Sequence, residues 1–243
     1  MIDTVHQGDN RYELYRDGRS IGCIAVSCNP FHSGHVYLNV GLTEYDPTIA
    51  EELFDSLQSH IGKPIQVMLY SNKKTICDFL LAGGFTCKRR CFEVEGCPAD
   101  LTQPVFIRAP LEYTTSGEES YRTAAQMLYE HYRQTHEAIS PLTADFETFC
   151  AVLPELAVLS PDNAHAAFLE EEEIAYVASR QPAQAGPFLE NVLAVQLSKW
   201  GKVCFECDDC DPVTIQLLKY FPQPESSYDT YIRAFLFQHE SKM

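Results

Sequence analysis

Ile174–Gly201, IAYVASRQPAQAGPFLENVLAVQLSKWG, changes its hydrophobic period halfway along. From Ile174 to Ser179 the residues alternate, with Ile174, Tyr176 and Ala178 on one face, which predicts a β-strand. Gln181 to Pro187 is a tight loop of Pro, Gln, Ala and Gly. Phe188, Leu189, Val192, Leu193, Val195 and Leu197 then set a helix. A strand feeding a helix through a small-residue loop is an anion cradle, because the loop N–H groups and the helix N-terminus carry partial positive charge without a basic side chain beneath.

The segments that follow extend the pattern. Lys202–Glu206 reads as a short strand. Asp211 then stands as an N-cap with Pro212 as first helical residue, opening the helix PVTIQLLKYF. Tyr228–Phe237 reads as a last strand. The order is therefore strand, loop, helix, strand, capped helix, strand.

This order, with Gln181-Pro-Ala-Gln184-Ala-Gly186, resembles the acetyl-CoA-binding core of the GNAT superfamily of N-acetyltransferases, whose motif is Gln/Arg-x-x-Gly-x-Gly/Ala after the fourth strand. The first and last positions fit, and Gln184 replaces the middle glycine. The resemblance implies an α+β fold of mixed, twisted sheets flanked by helices, with acetyl-CoA as cosubstrate. It further implies acyl transfer to an amine, either a small molecule or a peptide. Val177, Ala178 and Ser179 would give backbone contacts to the acyl donor, and Gln181, Gln184, Ala185, Gly186 and Pro187 would surround its phosphates. Glu173, at the start of the strand, takes the position of the base. The family's proton-donating Tyr falls in register on Leu218, and Tyr220, two residues on, is the nearest candidate. Each residue also has a plainer reading: Glu170–Glu173 as a solvated charge run, Tyr220 as core or interface.

The first half repeats the order. Arg11–Tyr15 and Ser20–Cys28, joined at Asp17-Gly18, predict a hairpin. His35–Leu42 (strand), Pro47–His60 (helix), Ile65–Tyr70 (strand), Asn72–Ala82 (helix) and Phe85–Val94 (strand) follow. Asn72 and Gly84-Phe85 resemble the family's opening and closing of its fourth helix, with Phe79 and Leu80 where the Tyr belongs. The phosphate loop is replaced by Tyr45-Asp-Pro-Thr-Ile-Ala50, flanked by Glu44, Glu51 and Glu52, and these carboxylates repel a pyrophosphate. The expected organisation is a tandem of GNAT-like domains, 1–100 with a degenerate phosphate loop and 101–243 with the donor site, linked through Glu95–Gln103. In the second domain Val105–Ala109 is expected as a first strand, Glu118–Glu137 and Asp145–Leu153 as helices, and Ala157–Leu159 and Ala164–Leu169 as strands.

Composition bounds the partners. The 243 residues carry a formal net charge of −16, with 9 Lys/Arg against 13 Asp/Glu up to Phe106 and 9 against 21 beyond. Such a surface lacks the basic footprint that nucleic acid needs, and it attracts cations. No run approaches the roughly 18 apolar residues of a membrane span, and the N-terminal stretch is too polar for a signal peptide, so a cytoplasmic location is expected. Ten cysteines then read as reduced thiols. Cys204, Cys207 and Cys210 have zinc-like spacing, but no second Cys-x-x-Cys pair accompanies them; no metal is expected. Two other readings compete with an active transferase: a GNAT-fold binding protein without turnover, and an unrelated α/β interaction protein.

Overall fold

The computed structural model describes residues 2–8 and 10–235. Its elements in chain order are β1 (Ile2–His6), β2 (Arg11–Arg16), β3 (Arg19–Ser27), β4 (Val36–Leu42), α1 (Pro47–Ile61), β5 (Ile65–Tyr70), α2 (Lys74–Ala82), β6 (Thr86–Gly96), β7 (Glu112–Thr115), α3 (Glu119–His136), α4 (Phe146–Cys150), β8 (Leu156–Leu159), β9 (His165–Glu170), β10 (Glu173–Ser179), α5 (Gly186–Trp200), β11 (Val203–Asp208), α6 (Thr214–Leu218) and β12 (Tyr228–Arg233). They form two compact units. One runs to Arg89 and resumes at Tyr228, and the other is Arg90–Ser227.

In the first unit the strand order is β1-β2-β3-β4-β5-β12. The Asp17-Gly18 turn forms as expected, both residues having positive φ (49° and 77°), which suits a two-residue hairpin loop. Parallel β4 and β5 are in register only at Val36–Ile65 and Tyr37–Gln66, and they part beyond. Leu53, Phe54 and Leu57 of α1 and Phe79 and Leu80 of α2 pack on Ile65 and Val67, all fully buried or nearly so. The second helix begins at Lys74 with Lys73 in the capping position, so Asn72 does not cap it.

In the second unit the order is β6-β11-β10-β9-β8-β7. α3 lies against β8, β9 and β10 on one face, where Tyr121 meets Phe168 edge-on at 5.5 Å. On the other face Phe188, Leu189, Val192 and Leu193 of α5 and Leu217 of α6 share a core with Ile174, Val177, Val203, Phe205 and Cys207. A register shift between Ile174 and Tyr176, opposite β9, breaks the simple alternation. Ile174 and Val177 thus share the α5 face, in place of the expected grouping of Ile174 with Tyr176 and Ala178.

Chain order misled the expected boundaries. The segment around Cys97–Thr102 does not divide the units, because β6 continues through Gly96 as the antiparallel neighbour of β11, from Cys91–Asp208 to Gly96–Val203. β12 follows the second unit in sequence but pairs with β5 of the first, from Tyr228–Tyr70 to Arg233–Ile65. Its Tyr231 is buried in the first core. Of the expected strand Tyr228–Phe237, the last two residues lie outside the described residues.

Val105–Ala109 forms no strand. Its polar backbone is held by one side chain of α5: the Asn191 Oδ1 accepts from the Arg108 N–H at 2.9 Å, and its Nδ2 donates to the Ala109 carbonyl at 2.7 Å. An amide side chain thus does what a neighbouring strand would have done. Replacing the buried Asn191 with Ala removes both bonds and should lower stability by about 1–2 kcal/mol, read as a lower urea midpoint. An unchanged midpoint would show that water replaces the amide at no cost.

Candidate functional site

The site is built on the second unit's parallel pair. β10 and β11 are in register only at Glu173–Cys204, and no residue of β11 pairs with Val177, Ala178 or Ser179. Two parallel strands that separate leave main-chain N–H and C=O groups of one edge without a ladder partner, which an extended ligand can take up. Val177, Ala178 and Ser179 lie on this separating stretch of β10, all three buried.

The loop after β10 departs from the open cradle. Pro182–Gln184 forms a 3₁₀ turn, and three N–H groups in and beside it are engaged internally. Gln181 N–H donates to Ser179 Oγ at 2.9 Å, Gln184 N–H to the Gln181 carbonyl at 2.9 Å, and Ala185 N–H to the Pro182 carbonyl at 3.2 Å. Pro187 has no N–H to offer. An anion could be met by the N-terminal end of the fifteen-residue α5, which starts at Gly186 without a side-chain cap, by the Ala183 N–H, and by the exposed Arg180 beside it. The Gln216 side chain of α6 leans over this loop, donating to the Pro182 carbonyl at 2.6 Å. A Cβ on Gly186 would sit 3.3 Å from its Oε1, so a side chain here would press on the tip of Gln216. The residues fit an acyl-CoA whose arm follows β10, with a weaker phosphate grip than an all-glycine loop would give.

Ser179 Oγ and His165 Nδ1 are 2.7 Å apart, and His165 stacks on Phe188 of α5. Burial lowers the His165 pKa, partly offset by Asp162, so the ring is neutral and fixed near the start of α5.

Glu173 and Tyr220 are not brought together. Glu173 lines a groove of about 390 Å³ with Glu93, Glu95, Cys204 and Glu206. Burial, then Glu170, Glu206 and Glu172, raise its carboxyl pKa. Tyr176, half-buried near Glu206 and Glu173, is raised by desolvation and by those two carboxylates. The bulge puts it on their face, and alternation alone concealed this. Tyr220 lies beyond the short α6, packed against the α5-side core; burial and then Glu190 raise its pKa, with Arg108 opposing. The helix begins at Thr214, with Asp211 instead accepting the Val213 N–H at 2.8 Å in the preceding turn, so the helical register that made Tyr220 a candidate does not extend to it.

A second cavity, of about 490 Å³, opens between the diverging ends of β10 and β11 under α3. Ser179, Arg180 and Pro182 line it from one side and Cys210 and Pro212 from the other, with Glu130, His131 and Gln134 above. His131 Nε2 lies 3.0 Å from Asp211 Oδ1, both residues being buried. Nothing in the sequence pattern pointed to this pair, because the residues are 80 positions apart. Burial pushes the Cys207 thiol up to about 11, which suits a core thiol. Among the described residues no three His, Cys, Asp or Glu side chains gather as a metal cluster.

The equivalent place in the first unit is closed. Asp46 caps α1, accepting from the Thr48 N–H at 2.9 Å, and pairs with Arg16 at 2.8 Å. Tyr45 folds back onto Phe79, ring centroids 5.5 Å apart, and donates its hydroxyl to the Val40 carbonyl, beyond the last β4 residue paired with β5.

No family model matches the chain, and no curated protein does. Among solved structures it is similar to a GCN5-related N-acetyltransferase from Sphaerobacter thermophilus, with a TM-score of 0.54 at 12% identity over 95% of this chain and 82% of that one. Two GCN5-related N-acetyltransferases from Kribbella flavida give TM-scores of 0.47 and 0.46 at 15% and 13% identity; they match 95% and 93% of this chain and 89% and 59% of their own. In agreement with the mixed sheet and its parting parallel strands, the chain has the fold of the GCN5-related N-acetyltransferases.

Proposed function

We propose that the protein is an N-acyltransferase that moves an acyl group, acetyl in the simplest case, from acyl-CoA to an amine, using the second unit alone. The observation that carries this is the unpaired edge of β10 past Glu173, ending at the uncapped N-terminus of α5. The thioester arm would lie along Val177–Ser179, with Gln181, Gln184, Ala185, Gly186 and Pro187 around the phosphates. The carboxylates of Glu173, Glu206 and Glu93 give the neighbouring groove a negative field that favours a cationic amine, small molecule or peptide. We read the first unit as a second copy of the fold whose donor site is shut by Asp46 and Tyr45. No described helix is long and apolar enough to cross a membrane; a cytoplasmic location belongs to this proposal.

Calorimetry with acetyl-CoA should give one site per chain, and free CoA should appear when amines are supplied as a panel. Two sites per chain would remove the asymmetry between the units. A second reading, binding without turnover, draws on the internally bonded loop N–H groups and the misplaced Tyr220. It predicts binding with no CoA release for any amine.

A further inference from the structure

Resting on the acyl-transfer reading, we infer that Gln216 of α6 is a latch over the phosphate corner, and that it sets how tightly the second unit holds an acyl donor carrying a pyrophosphate. The corner has two walls: the loop Gln181–Ala185, and the turn at Pro212 that precedes α6. One amide nitrogen ties them together, because Gln216 Nε2 donates to the Pro182 carbonyl at 2.6 Å and to the Pro212 carbonyl at 3.0 Å. The neighbouring Leu217 anchors α6, buried in the same core as Val213. Opening the corner therefore falls to the half-buried Gln216 side chain.

The orientation of the amide follows from its partners. Both atoms that face Nε2 are carbonyl oxygens, which only accept, so the amide oxygen is left on the other side. That Oε1 lies 3.3 Å from where a Cβ of Gly186 would be, at the first residue of α5. The first turn of the helix offers main-chain N–H groups at Gly186 and Phe188, Pro187 has none, and no side chain caps it. Among the described residues no N–H group donates to Oε1. The amide oxygen thus brings partial negative charge to the place a phosphate oxygen needs, and it covers the helix end without satisfying it.

For a pyrophosphate to reach those N–H groups the tip of Gln216 has to leave, and its departure breaks both Nε2 bonds. Each is a modest net contribution in a half-exposed setting. The binding-competent arrangement is then a minor one, and apparent affinity falls by the fraction that is open. The phosphate-free part of the donor lies along Val177–Ser179 and does not pass this residue. Gln216 therefore selects by phosphate: it acts on intact acetyl-CoA and not on S-acetyl-pantetheine.

The plain alternative is that Gln216 only braces the loop against α6. Gln216→Ala removes the brace and the oxygen together, and the two readings predict opposite signs. The latch requires acetyl-CoA to bind on the order of tenfold more tightly, about 1.4 kcal/mol, by calorimetry. The gain should appear in the association rate by stopped flow, with kcat/KM for S-acetyl-pantetheine unchanged. Gln216→Glu keeps the length but cannot donate to the carbonyls and sets a charge at the corner; it should bind acetyl-CoA more weakly than wild type, with a loss that shrinks in high salt. A Gln216→Ala protein with unchanged or weaker acetyl-CoA binding, an equal gain for S-acetyl-pantetheine, or equal affinities for the Ala and Glu variants would each overturn the latch while leaving acyl transfer standing. A wild type that binds acetyl-CoA but releases no CoA with any amine overturns acyl transfer alone, since affinity and association rate still test the latch. A wild type that does not bind acetyl-CoA overturns both.

Discussion

Ending the chain at Ser227 will unfold the unit built on β1–β5 and leave the Arg90–Ser227 unit its own elements. β12 contributes an antiparallel partner along β5 and buries Asp229, Thr230, Tyr231 and Ile232. Its end is clasped by α1: Arg233 pairs with Asp55 and donates to Gln58 Oε1 at 2.7 Å, and Gln58 returns a bond to the Ala234 carbonyl at 3.2 Å. Losing one large core side chain typically costs about 3–5 kcal/mol, against a whole-domain stability of about 5–15 kcal/mol. A strand removed with its core tyrosine and ladder bonds exceeds what such a unit can lose. Amide exchange should show Leu53 and Leu57 of α1 unprotected while Val192 and Leu193 of α5 stay protected. Adding a peptide of residues 228–235 should restore protection in α1. Protected α1 amides in the truncated chain would mean that β12 is an accessory strand.

That strand also shows where the sequence was legible and where it was not. Tyr228–Arg233 was recognisable as a strand from its composition, because strand formation is a local preference. Its partner was not, because nothing in a strand names the edge it will join. The same limit applies to the face of Tyr176. Alternation assigns faces correctly until a bulge adds a residue, and the bulge at Ile174–Tyr176 arises from pairing with β9, not from a local glycine or proline. VFIRA at 105–109 has the makings of a strand, but its backbone partner is the Asn191 amide. The stretch from Glu173 to Trp200 was readable because its period changes where the chain turns. His131 and Asp211 were invisible because only the tertiary fold joins them.

Gly186→Asp should weaken acetyl-CoA binding on the order of 100-fold, about 2.8 kcal/mol. The reasoning starts from what the loop lacks. With the Gln181, Gln184 and Ala185 N–H groups already bonded and Pro187 unable to donate, the pull on a pyrophosphate comes mainly from the α5 terminus and Arg180, with the Ala183 N–H beside them. A carboxylate at the first helical residue satisfies that terminus from within, as Asp46 does before α1, and repels the phosphates as well. It also meets the Gln216 side chain, which already lies 3.3 Å from the position of a Cβ. Gly186 does not have a positive φ, so the substitution adds no backbone strain, and the fold should survive. Gly186→Ala brings the contact without the charge; since the tip of Gln216 can move, its loss should stay within about tenfold, or 1.4 kcal/mol. Isothermal calorimetry on both variants at low and high salt separates the two effects, because only the aspartate's repulsion is screened. Equal affinities for wild type and Gly186→Asp would move the phosphates away from α5. Equal losses for both variants, insensitive to salt, would make the corner a steric gate and not an electrostatic one.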